Sequence, residues 1–93
     1  MNVYDQLRQI YASAFALHEN IRANVTDPTL RDAWTAWFLQ SLRPYYERYA
    51  GPNSATLTRL AALFYAGDVQ RHVDAFRTQL EDFHLSYERW RIR

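Results

Sequence analysis

The sequence predicts an all-α protein, a four-helix bundle with mostly antiparallel helices, and three observations predict it. Apolar side chains recur at alternating steps of four and three in both the first and last quarter of the chain. The residues that break helices, Pro28, Gly51, Pro52 and Gly67, fall where that recurrence lapses and mark three turns. The turns are short, so neighbouring helices must run back alongside one another. A chain of 93 residues makes one domain, spanning 1–93, large enough to build a core without staples.

The first helix is predicted over 3–24, where Val3, Leu7, Ile10, Ala14, Leu17 and Ile21 form one seam. An average step of 3.5 residues is the mark of a helix lying along a neighbour at a shallow crossing. The second begins after "NVTDP": Thr26 or Asp27 supplies an N-cap and Pro28 sits in the first turn, where its missing N–H would be unpaired anyway. Val25 and Leu30 are placed to close as a hydrophobic staple. Leu30, Trp34, Trp37, Phe38 and Ser41 are expected to face inwards.

Pro44 then falls inside the second helix rather than at its end. It cannot donate to the carbonyl of Gln40, and its ring crowds that carbonyl, so the helix is expected to kink or break there. Tyr45 and Tyr49 stay on the side of Trp34 and Phe38, while Tyr46 points outwards and Arg43 pairs with Glu47 at i, i+4. Gly51 ends this helix, and Asn53 or Ser54 opens a short third one over 54–66, with Leu57, Leu60, Ala61 and Phe64 on one side. Gly67 is expected as a left-handed stop, with Asp68 capping the fourth helix. That helix, 69–91, carries Val69, Val73, Phe76, Leu80, Phe83, Tyr87 and Trp90 on one seam.

Composition narrows function. There are no cysteines, which excludes disulfides, thiolate metal sites and cysteine nucleophiles, and fits a reducing, cytoplasmic setting. Asp5 and Arg8 interrupt the N-terminus where a signal peptide needs an apolar run, and no stretch approaches a membrane span. Eleven arginines against ten acids leave a net charge of +1, too little to draw the whole molecule to nucleic acid or an anionic membrane.

Reactive constellations are weak. Glu81 and His84 have the E-x-x-H spacing of di-iron bundles, but a second copy is missing and Glu81 lies roughly 130° from the seam of its helix. No metal or other cofactor is expected, and no small-molecule substrate. His18 sits on the inner face of the first helix, where a tyrosine hydroxyl or a carbonyl would satisfy its ring nitrogens. Ser41 is read as bonding back to a carbonyl of the preceding turn. The protein is therefore expected not to be an enzyme.

Residues 59–76 imitate a helix-turn-helix, yet the segment that would read DNA holds four acids against two arginines, so nucleic acid is an unlikely partner. A contact through the C-terminal "RWRIR" is the alternative, although those arginines also suit the negative end of a helix dipole. What remains is the outer surface. Leu39, Arg43, Tyr46 and Arg48 on the second helix, and Leu85 and Ile92 seven apart on the fourth, are the expected partner-binding residues. The expectation is a small non-catalytic interaction module, of the motif-free kind common in phages and mobile elements: an adaptor, chaperone or stoichiometric inhibitor that binds a larger protein and also itself, as a dimer or larger homo-oligomer.

Overall fold

The computed structural model describes residues 2–52 and 66–92. Among them every regular element is a helix. Helix α1 spans Val3–Asn24, α2 spans Pro28–Trp37, a π turn spans Phe38–Leu42, α3 spans Arg43–Tyr49, and α4 spans Ala66–Arg91. The Asn2 side chain caps α1 by accepting from the Asp5 N–H at 2.9 Å. Asp27 caps α2 by accepting from the Thr29 N–H at 3.1 Å, with Pro28 at the first helical position as its sequence requires.

α2, the π turn and α3 join into one kinked rod. Three buried residues on it, Trp34, Phe38 and Leu42, are each four apart. An ordinary α-helix would carry the third of them off the core face, because each step of four overshoots a 3.6-residue turn. The π turn absorbs the excess: the Arg43 N–H donates to the Phe38 carbonyl, five residues back, and Leu42 stays inside. This corrects the expectation for Ser41, which is exposed while its neighbour Leu42 is fully buried. The wide turn ends at Leu42, two residues before Pro44, which stands in the first turn of α3.

Among the described residues three rods pack up, down and up. Tyr11 meets Tyr46 and His18 meets Trp34, so α1 runs antiparallel to the kinked rod. Trp34 meets Phe83 and Tyr45 meets His72, so α4 runs antiparallel to that rod in turn. Consequently α1 and α4 are parallel, with Gln6 bonded to Gln70 and Arg77, and Ser13 beside His84. The predicted third helix lies outside the described residues, apart from its last residue, Ala66.

The core follows the predicted seams closely. Leu7, Ala14, Leu17 and Ile21 of α1 and Val69, Val73, Leu80, Phe83 and Tyr87 of α4 are buried, with Phe76 and Trp90 packed at its edge. Val25 is fully buried after α1, and Leu30 packs against the same cluster. Gly67 is a correction: α4 already runs from Ala66 through it, and no glycine among the described residues takes a positive φ. Left-handed geometry is open to glycine without being obligatory, and the first turn of a helix has no i−4 bond to lose. Gly51 is needed for space instead, since a Cβ there would meet the Glu47 backbone at 3.0 Å.

Candidate functional site

His18 stands at the centre of the α1 to α2 seam. Its ring stacks on Phe38 at 4.8 Å between centroids, and Phe38 stacks in turn on Trp34 at 5.4 Å and on Tyr11 at 5.6 Å. Trp34 is fully buried, and its indole N–H donates to His18 Nδ1 at 2.9 Å. An indole can only donate, so Nδ1 must be the unprotonated nitrogen and Nε2 carries the proton of the neutral ring. Burial, with Arg22 nearby, holds the imidazole below its ordinary pKa against the opposing pull of Glu19. The partner is thus an indole rather than the expected hydroxyl or carbonyl.

A cleft of about 160 Å³ opens beside this pair, lined by His18, Ile21, Arg22, Arg31, Trp34 and Thr35. Arg31 is held across it by a bond from Nη1 to the Val25 carbonyl at 2.9 Å. Arg22 is engaged by Glu19 of its own helix at 2.9 Å. Sequence periodicity finds His18 and Trp34, but Arg22, Arg31 and Thr35 read only as surface residues until the two helices are laid side by side.

A second cleft, of about 350 Å³, lies between the start of α2 and the end of α4, with Leu30, Ala33, Phe83 and Trp90 forming apolar walls and Asp27, Thr29, Ser86 and Arg89 a polar margin. A third, of about 250 Å³, runs between α1 and α4, and contains Ser13 and His84. Ser13 Oγ stands 3.4 Å from His84 Nε2, and both residues are exposed. That is longer than the roughly 2.6 to 3.2 Å at which an imidazole takes a proton from a hydroxyl, and the contact reads as a tie between parallel helices. The E-x-x-H residues Glu81 and His84 are both exposed on α4, and no group of three or more potential metal ligands occurs among the described residues.

The expected partner-binding residues divide between two faces. Leu39 is 38% exposed and Arg43 pairs with Glu47 at 3.0 Å, as its spacing predicts. Tyr46, expected to project outwards, is half-buried, its ring lying flat on Tyr11 at 4.0 Å. The extra residue in the π turn shifts the register so that Tyr45 and Tyr46 straddle the seam, one towards α4 and one towards α1. Arg48 lies over the Tyr49 ring at 5.2 Å.

Leu85 on α4 is 55% exposed, and Ile92, one residue past its end, is 77% exposed. They lie roughly 160 to 180° round the helix from Phe83, away from the core, whereas Tyr46 of the Leu39 group stacks on Tyr11 of α1. Phe15, 50% exposed between Tyr11 and His18 in sequence, belongs to the latter face and is absent from the expected set. Its signal was its place just off the predicted seam.

No family model, curated protein or solved structure matches the chain.

Proposed function

We propose that this protein is a small non-catalytic protein–protein interaction module of the cytoplasm, a four-helix bundle that self-associates and docks on a larger partner as adaptor, chaperone or stoichiometric inhibitor. One observation carries the reading: Leu85 and Ile92, seven apart, stand out from a helix whose opposite side is already spent on the core. A second apolar line at heptad spacing is the feature another helix would cover. No helix among the described residues is long and apolar enough to cross a membrane.

The test is the mass of the intact assembly, measured on the native protein and on Leu85→Asp with Ile92→Asp, alongside affinity capture from the source cell. A multimer that falls to monomer in the double variant, and a captured protein lost with it, supports the module. A monomer that captures nothing but binds RNA or DNA below micromolar, with affinity falling steeply as salt rises, replaces it with a nucleic-acid contact through the C-terminal arginines.

A further inference from the structure

The cleft between α1 and α2 has the chemistry of an anion site. Its lining residues include two arginines, Arg22 and Arg31, with Thr35 and His18, and no acidic residue. Arg31 forms no ion pair among the described residues, and its bond to the Val25 carbonyl occupies one Nη1 proton while fixing the fork in place. The Trp34 bond to His18 Nδ1 adds a further donor by elimination: the ring proton resides on Nε2, which has no hydrogen-bond partner among the described residues. Ile21 and Trp34 back the cleft as buried apolar walls, while Arg22, Arg31 and Thr35 stand exposed at its mouth, where an ion from solvent can reach them.

We propose that this cleft binds an oxyanion, with Arg31 as the principal ligand and Arg22, Thr35 and His18 Nε2–H as supporting donors. Guanidinium forks match planar and tetrahedral oxyanions through paired N–H···O bonds, and a volume of about 160 Å³ suits a single such group. Glu19 is the competitor, because its carboxylate already holds Arg22. Binding must draw Arg22 from it or share that arginine, which sets affinity on the order of millimolar for a free ion. The site is independent of the Leu85 and Ile92 face.

The experiment is an NMR titration of the full chain with sodium sulfate, and in a second arm with sodium acetate, each against sodium chloride at matched ionic strength. The Trp34 indole N–H, one bond from the cleft's histidine, is the reporter. Sulfate is expected to shift it saturably, Arg31→Gln to weaken binding about tenfold, and Glu19→Gln to strengthen it by freeing Arg22. Saturation by sulfate alone assigns a tetrahedral group, of the phosphate or sulfate kind, as the ligand; saturation by acetate as well extends it to carboxylates. Shifts that rise linearly in both arms and match chloride, or that Arg31→Gln leaves unchanged while its spectrum remains folded, overturn the proposal.

Discussion

Trp34 and His18 together decide how the α1 to α2 seam is charged. Because the indole can only donate, protonating His18 sets two N–H groups against each other, and burial already disfavours the charged ring. The unfolded chain takes up a proton near the ordinary histidine value of about 6.5, and the folded protein only at lower pH. Stability is therefore complete above about pH 7 and falls as pH drops through 6.5, levelling off once the folded ring is also protonated. Urea midpoints at pH 7.5 and 5.5 should fall further for the native protein than for His18→Gln, whose amide can accept from the indole at both values. Trp34→Ala, which empties the most buried large ring and orphans Nδ1, should cost about 3 to 5 kcal/mol by chemical denaturation at pH 7.5. That His18 faces inwards was legible from its heptad step. Its partner was not, because the donor level with it depends on how far the turn at residues 25–27 offsets two helices, a length that periodicity does not encode.

At the scale of the element, the kinked rod separates what sequence spacing can and cannot give. Proline chemistry locates the disturbance near residues 41 to 44. It does not say that the helix will respond by widening one turn, and so the inward position passes from Ser41 to Leu42 and Tyr46 swings onto Tyr11. Packing settles that choice, since Leu42 and Tyr46 reach the core only in the shifted register. Two substitutions distinguish the registers directly. Leu42→Ala should lose about 2 to 5 kcal/mol as a cavity opens, while Ser41→Ala should stay within about 0.5 kcal/mol of native. Pro44→Ala probes the cause: if side-chain packing holds the wide turn, the variant keeps the rod's shape and stability within about 1 kcal/mol, as read by far-ultraviolet dichroism and denaturation. A large loss there would mean that the proline itself maintains the register.

The whole molecule shows why fold class is easier to read than arrangement. Seams on α1 and α4 recur so regularly that their helices and buried residues could be named from spacing alone, while the start of α4 could not, since the helix runs through Gly67 and Asp68 instead of being capped there. Which helices lie parallel could not, because α1 and α4 are brought together by the rod between them rather than by any local signal. The same geometry leaves Leu85 and Ile92 exposed, where no described part of the chain covers them. If a second copy covers them, folding and association share one equilibrium, and heat stability must depend on protein concentration. Raising the concentration tenfold should then lift the melting temperature by a few degrees, given that about 1 kcal/mol corresponds to roughly 4 to 8 °C in a domain of this size. Leu85→Ser with Ile92→Ser should flatten that dependence and barely alter the melt at the lowest concentration, because neither side chain contributes to the monomer's core. A native melting curve that is already independent of concentration would assign this flank to a foreign partner instead of a twin.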